Sequence, residues 1–352
     1  MENLRDLRVK EFGEQGLLQR LQAFCPAEVI GDDAAVLSVE VGYRLVVTTD
    51  TLVDGVHFSV GMAAPHIQTT SPYDAGWRAV AANLSDLAAM GAAPIGITIG
   101  LALPGDLPVA WVEQLYEGMT ACLQPSGTAI VGGDVCRSPV LSVNITALGQ
   151  VLQQQGIYRA AAQPGDAILV TGAHGASRAG LELLLHPEEG KGLTDEQRHG
   201  LIQAHQHPVP RLDVVERLRS VLTNPLSESS PASIHYWAAG MDSSDGLADA
   251  VLQICRASGV GAKLDRRAIP LPKGLSDWVG EKQAIEWALY GGEDFELVLC
   301  LPQGQAAALL ALLRGAAIVG QITAEPGVIL QDSQGEYPDE ILSLNRGFQH
   351  FG

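Results

Sequence analysis

The chain has 352 residues, 47% of them hydrophobic, with 39 glycines and a formal charge of −18. That length allows two cores, since single cores stop growing near ~250–300 residues, and so acidic a surface argues against a general grip on nucleic acid or anionic membrane, both of which demand a basic face. It leaves nucleotides open, because divalent cations can sit between the charges. The 5 cysteines, at positions 25, 122, 136, 255 and 300, form no CxxC pair, which fits a reducing compartment and neither a disulfide scaffold nor a zinc site. The N-terminal stretch MENLRDLRVKEFGEQGLL mixes charged and apolar residues with no continuous apolar run. Neither a signal peptide nor a membrane span is expected, and the cytoplasm is the default compartment.

In chain order, Leu4 to Phe24 has helical periodicity and leads to a turn at Pro26. Next comes VIGDDAAVLSV, where Gly31, Asp32 and Asp33 interrupt two apolar runs, a pattern that is usually a turn. YRLVVTTDTLVDGVHF gives a β-branched strand, Leu45 to Thr49, that delivers Asp50 at its end, where α/β folds place ligand groups. Tyr73 to Gly91 then reads as a helix: Trp77, Val80, Ala81, Leu84, Leu87 and Ala88 recur at spacings of three and four. Pro72 stands before it and Gly91 after it, the expected start and stop chemistry. Asp86 shares a face with Asn83, Ala79, Ala82 and Met90. It is either a surface or capping aspartate, or a carboxylate facing a cation or polar cleft.

Pro94–Leu103 reads as a buried strand and Val109–Leu123 as an amphipathic helix. A short strand leads to Gly132-Gly133 and Asp134, where backbone amides can approach a ligand and the carboxylate can hold a cation on it. LSVNITALGQV alternates as a further strand. These elements make a first unit up to about residue 150.

The second unit opens on the turn Gln163 to Asp166, followed by strand AILVTG and helix ASRAGLELLL. Gly172 to Gly175 between them looks like a phosphate loop but lacks the Lys-Ser or Lys-Thr of a Walker A motif, so a plain strand-to-helix turn is the expected reading. His186 to Gly200 is polar loop and helix start, HPVPRLDVVERLRSVL resumes as helix, and Thr223 to Ser233 is the most loop-like stretch. A short strand then ends at Asp242; Ser243, Ser244 and Asp245 stand where N-caps belong, before a helix to about Ala257. Capping leaves unexplained why Asp242 and Asp245 flank a serine pair. Amides at such a helix start suit a phosphate, and the carboxylates suit its magnesium. Gly291-Gly292-Glu293-Asp294 precedes another strand, and helix Gln303–Leu313 with strands near Ile318 and Val328 reads as scaffold.

Asp33, Asp50, Asp134, Asp242 and Asp245 thus fall at strand ends or glycine-rich turns, with Asp86 on its apolar helix. Magnesium binds hard oxygens and usually takes one or two protein carboxylates beside phosphate and water, so this set suits several ions on a polyphosphate. Without metal the cluster would repel itself. Phosphoryl transfer fits it better than acid–base hydrolysis, which needs two carboxylates.

GDDAAVL, TTDTLVDGVHF, NLSDLAAMGAAP, GGDVCRSP, the PGD turn, SSDGLADAV and GGEDFEL occur in an order and spacing that closely resemble the thiamine-monophosphate kinase family, over nearly the whole chain. The wider superfamily that the chain resembles includes aminoimidazole ribonucleotide synthetase, selenophosphate synthetase and the hydrogenase maturation factor HypE. The resemblance implies a two-domain α/β fold with mixed α+β character: an ATP- and magnesium-binding domain over 1–150, whose mixed sheet pairs in a homodimer, and a C-terminal α/β domain over 151–352 that completes the site. It further implies that Asp33, Thr49, Asp50, Asp86, Asp134, Asp242 and Asp245, with Thr48, hold magnesium. Tyr116, Gly133, Asp134, Arg159 and Ser244 would contact ATP, and His57, Glu293 and Phe348 thiamine monophosphate. Arg159 can fork onto phosphate or be a plain surface arginine; His57 can bind substrate or sit in a core. A carboxylate such as Glu293 suits the cationic thiazolium.

Two departures stand out. Val135 and Cys136 follow GGD where the family often has threonines, and the serine-rich stretch after residue 222 is extra. The implied reaction is direct transfer of the γ-phosphoryl group of ATP onto the phosphate of thiamine monophosphate, with no protein nucleophile. The alternatives are another ATP-using synthetase of the superfamily and a non-catalytic nucleotide-binding protein. Cys25 lacks the glycine-rich setting of a selenophosphate synthetase, and the chain ends in Phe351-Gly352, not in the cysteine of HypE.

Overall fold

The computed structural model describes residues 7–30, 34–222 and 238–347. Asp33, Phe348 and the serine-rich stretch lie outside the described residues. The chain divides into two units, Met1–Leu87 with Ala93–Gln150, and Ala88–Ala92 with Val151–Gly352.

The first unit contains helices α1 (Val9–Phe12) and α2 (Glu14–Leu21), strand β1 (Tyr43–Val53), helix α3 (Pro72–Ala89), strand β2 (Ala93–Leu103), helix α4 (Val109–Leu123) and strands β3 (Ile130–Arg137) and β4 (Ser142–Leu152). The single N-terminal helix expected from periodicity is broken at Gly13, whose φ of 77° closes α1 and opens α2. The strands form one mixed sheet in the order β1-β4-β2-β3, with β2 antiparallel to β4 and parallel to β3. Because successive strand side chains point to opposite faces, the register Ile97↔Ala147, Ile99↔Ile145 and Leu101↔Val143 places six apolar side chains on one face. All six are buried. The other face is open: along β1, Leu45 and Val47 are 51% and 56% exposed.

Helices α3 and α4 meet through glycines. A Cβ at Gly118 would fall on the carbonyl oxygen of Tyr73, and one at Gly76 on that of Leu115. The two backbones therefore approach closely where one helix, at Gly118 or at Gly76, carries no side chain. Gly91, at φ 71°, supplies the left-handed stop after α3.

The second unit contains β5 (Ile157–Tyr158), β6 (Ala167–Val170), α5 (Ala176–Leu185), α6 (Asp195–Gln206), α7 (Leu212–Leu222), β7 (Ala238–Asp242), α8 (Leu247–Ser258), β8 (Gly261–Asp265), α9 (Leu275–Val279), α10 (Glu281–Tyr290), β9 (Leu297–Leu301), α11 (Gln303–Leu310), β10 (Ala317–Thr323), β11 (Gly327–Gln331) and β12 (Glu340–Ile341). They build an eight-stranded mixed sheet, β12-β11-β8-β10-β6-β9-β7-β5. Its central strands are buried on both faces, which is why β6 and β9 read as unbroken apolar runs. Ile168, Val170, Val298 and Cys300 face a core that includes Leu247, Val251 and Ile254 of α8. Ala167, Leu169, Leu297 and Leu299 face one that includes Val214 and Leu218 of α7 and Leu309 of α11. A smaller cluster of Ala179, Leu183, Leu201, Leu275 and Ala284 joins α5, α6, α9 and α10. Among the described residues no helix is long and apolar enough to cross a membrane.

Candidate active site

In the first unit the polar residues of β1 divide between the faces of the sheet. Thr48 and Asp50 lie on the helix-covered face, and the Thr48 hydroxyl donates to Oδ2 of Asp86 on α3. Asp86 is half-buried, so the aspartate that breaks the apolar pattern of α3 is met by a hydroxyl and not by solvent alone. Thr49 lies on the open face, where its Oγ1 donates to the carbonyl of Ile145 (3.0 Å) and receives Thr146 Oγ1 at 3.3 Å. Asp134 belongs to this same open face: it is in register with Gly100, which pairs with Asn144, and Asn144 Nδ2 donates to Thr51 Oγ1 at 2.6 Å. The sheet thus places Thr48, bonded to Asp86, and Asp50 on one side and Thr49 and Asp134 on the other.

Two expectations about position are corrected. Asp50 does not end its strand, since β1 runs on to Val53, and Gly132, Gly133 and Asp134 lie inside β3. Pairing with the long strands β4 and β2 carries both segments past the glycines and threonines that looked like strand ends. A Cβ at Gly133 would strike the carbonyl of Ile99, so this glycine answers a close backbone approach within the sheet.

His57 follows β1 in a turn, where its Nδ1 accepts from the amide of Val53 at 3.1 Å and its carbonyl accepts from Arg78 Nη2 at 3.3 Å. It is half-buried. Tyr116 of α4 is 4% exposed, with its ring 5.4 Å from that of Phe24, and burial pushes its phenol upward.

In the second unit β7 delivers Asp242 at its end, and Ser244 Oγ donates to Asp242 Oδ1 at 3.1 Å. The cap of α8 is not one of the serines but Gly246, at φ 104°, with no side-chain hydrogen bond. Ser243, Ser244 and Asp245 are therefore spared from capping; Asp245 is exposed and Asp242 buried. Against this loop packs the Gly291–Glu296 turn: Glu293 N donates to Ser244 O (2.7 Å) and Ser243 N to Glu296 O (2.8 Å). Arg159, in a 3-10 turn, is exposed, with Nη1 3.4 Å from Gln253 Oε1.

The Gly172–Gly175 turn has its helix-start amides already occupied. Asp294 accepts from Gly175 N at 2.7 Å and Ser177 N at 2.9 Å, which favours the strand-to-helix reading over a phosphate loop. Sequence reasoning missed this role of Asp294, and also missed His205, a buried residue of α6 whose Nδ1 is 3.0 Å from Ser177 Oγ and 3.8 Å from Glu293 Oε2. Glu296 is a further one: it receives the Thr171 hydroxyl and Arg211 Nη1 (2.5 Å), and burial pushes its carboxyl up against the pull of Arg211.

Among the described residues, no three His, Cys, Asp or Glu side chains converge as a ready metal cage. The donors are nonetheless carboxylates and hydroxyls, the hard oxygens magnesium takes, and magnesium is usually held by one or two carboxylates together with phosphate oxygens. The set fits ions that arrive with a nucleotide.

Residues 31–151 match the AIR synthase related protein, N-terminal domain, and residues 163–333 its C-terminal domain. A thiamine-monophosphate kinase of Synechococcus elongatus is 52% identical over 349 residues, 99% of each chain. The chain belongs to the thiamine-monophosphate kinase family. The crystal structure of such a kinase from Stenotrophomonas maltophilia K279a superposes with a TM-score of 0.75 at 33% identity, over 90% of this chain and 95% of that one. The structure of AaThiL complexed with AMPPCP and TMP superposes at 0.70 and 30% identity, over 95% and 98%. The two-domain α/β fold and the kinase class expected from the motifs stand on these matches.

Proposed function

We propose that this chain transfers the γ-phosphoryl group of ATP to the phosphate of thiamine monophosphate, giving thiamine diphosphate and ADP. The observation that carries the reading is the match along 99% of the chain to a relative of that name; the AMPPCP and TMP held by AaThiL are of the same two ligand classes.

Asp33, Thr48, Thr49, Asp50, Asp86, Asp134, Asp242 and Asp245 are the residues that would hold magnesium ions, Thr48, Asp50 and Asp86 from the helix-covered face of the first sheet and Thr49 and Asp134 from its open face. Bound magnesium supplies charge neutralisation between two phosphate-bearing reactants, whose repulsion is the main obstacle to their meeting. Thr48 orients the Asp86 carboxylate, and Ser244 that of Asp242, through the hydrogen bonds described. Tyr116, Gly133, Asp134, Arg159 and Ser244 serve the nucleotide; Arg159, exposed in an acidic protein, can exchange its 3.4 Å contact with Gln253 for a phosphate. His57, Glu293 and Phe348 serve thiamine monophosphate, Glu293 by placing a carboxylate near the thiazolium cation. No side chain is needed as nucleophile or strong base, because the attacking phosphate oxygen is already ionised near neutral pH.

The reading includes a homodimer and a cytoplasmic location. The open face of the first sheet supports pairing, since Leu45 and Val47 there are apolar and more than half exposed. Incubation of the full chain with ATP, magnesium and thiamine monophosphate, followed by chromatography, tests the activity. Thiamine diphosphate is expected; ATP binding without product would favour a nucleotide-binding protein.

A further inference from the structure

The Gly291–Glu296 turn has an unusual backbone. Glu293 and Phe295 have φ of 59° and 51°, and they are the non-glycine residues with positive φ among the described ones. L-residues adopt this region rarely and in isolation, and here two of them bracket Asp294. Gly292, at φ 68°, opens the turn where a Cβ would come within 2.6 Å of Ser244 O. A backbone of this kind persists only where its surroundings over-determine it, and such places cluster at ligand sites.

Asp294 is the restraint. Its side chain points inward between the two left-handed residues and accepts two amides of the α5 start, one on each carboxylate oxygen. Burial raises its carboxyl to about 7, while the amides of Ser177 and Gly175 pull the other way. The outward neighbour Glu293 keeps 35% of its side chain exposed and is flanked by His205, which is itself fixed by Ser177. Ser177 therefore links both ends of the arrangement: its amide holds Asp294 and its hydroxyl holds His205.

We propose that Asp294 is a positioning residue for thiamine monophosphate: by anchoring the turn to α5 it locks the left-handed backbone that presents the Glu293 carboxylate to the substrate cation. This rests on the reading of Glu293 as a substrate contact. Loose support for a contact residue lowers binding even when the residue is present.

The test is a steady-state double-mutant cycle on the full chain, with E293A, D294A and E293A/D294A, reading KM separately for thiamine monophosphate and ATP. E293A is expected to raise KM for thiamine monophosphate about 10-fold or more, by loss of a charged contact. D294A is expected to raise the same KM to a similar degree, to leave KM for ATP within about 2-fold, and to add less than about 2-fold in the E293A background, since residues acting as one unit are not additive. A purely structural role would instead lower the active fraction and reduce Vmax with both KM values kept. If D294A does not fold, D294N is read in its place, keeping the shape and one acceptor oxygen, with about a 3-fold rise expected in the same KM. Equal effects on both substrates, or an effect of the Asp294 variant that persists undiminished without Glu293, would overturn the positioning role alone. An unchanged KM in E293A would overturn the substrate reading of Glu293 on which the role rests.

Discussion

The Thr48 hydroxyl donates to the carboxylate of Asp86, joining the middle of β1 to the last turn of α3. Asp86 is thereby held on a helix that is otherwise packed with Val80, Ala81, Leu84 and Leu87, each at most 1% exposed. A rigid helix is a more precise mount for a ligand-bearing carboxylate than a loop.

The first prediction concerns that mount. Asp86→Asn keeps the shape and an acceptor for Thr48 but removes the charge, so turnover should fall by about 100-fold or more while the melting temperature stays within a few degrees, as for loss of a charge-stabilising group. Thr48→Val should be milder, costing about 1 kcal/mol of stability for one hydrogen bond. Near-normal turnover of D86N, measured as ADP release, would contradict the proposed magnesium role of Asp86.

A second prediction concerns the α3–α4 contact. Gly118→Ala would push a methyl into the carbonyl of Tyr73, and backbone cannot yield as a flexible side chain can. Overpacking of this kind should cost about 3 kcal/mol, visible as a lower midpoint in chemical denaturation. An unchanged midpoint would mean that the helices separate at little cost.

The third prediction follows from His174. It is fully buried, with Nδ1 3.1 Å from Gly172 O and no partner for Nε2 among the described residues. Nδ1 therefore carries the proton and donates to the carbonyl. Burial pushes the ring down to about 4, from 6.5. Between those values the unfolded chain binds the proton and the folded chain does not, so stability is intact above pH 6.5 and is lost as pH falls toward 4. The penalty should reach about 2–3 kcal/mol near pH ~4.5. Partly buried carboxyls such as Asp294, raised in the fold, act in the opposite sense over the same range. The comparison is therefore between the wild type and His174→Asn: the variant should lose less stability between pH ~7 and ~4.5, and identical losses would contradict a neutral His174.

Local pattern carried most of what was legible in the sequence. The three-and-four spacing of Val80, Leu84 and Leu87 with Gly91 beyond them marks α3, and the apolar runs AILV and LVLCL mark two central strands. The acidic positions are conspicuous only as a set, because an aspartate beside a glycine is by itself usually a turn, and Asp86 alone among them stands on an apolar helix. What was not legible depends on partners distant in the chain. Asp294 finds its amides at Gly175 and Ser177, and His205 reaches back to Ser177; no periodicity announces either meeting. The strand ends at Asp50 and Asp134 were misplaced for the same reason, because ladder pairing with β4 and β2 overrode the local turn chemistry of GGD and the threonine run.

Direct transfer from the terminal phosphoanhydride of ATP to the phosphate monoester of thiamine monophosphate can be followed with ATP labelled in its γ-phosphate. In a single turnover with magnesium and thiamine monophosphate, quenched over time, the label should pass from ATP to the terminal phosphate of thiamine diphosphate at the rate ADP appears, with none held on the protein. Label trapped on the chain, or ADP formed without labelled thiamine diphosphate, would contradict it.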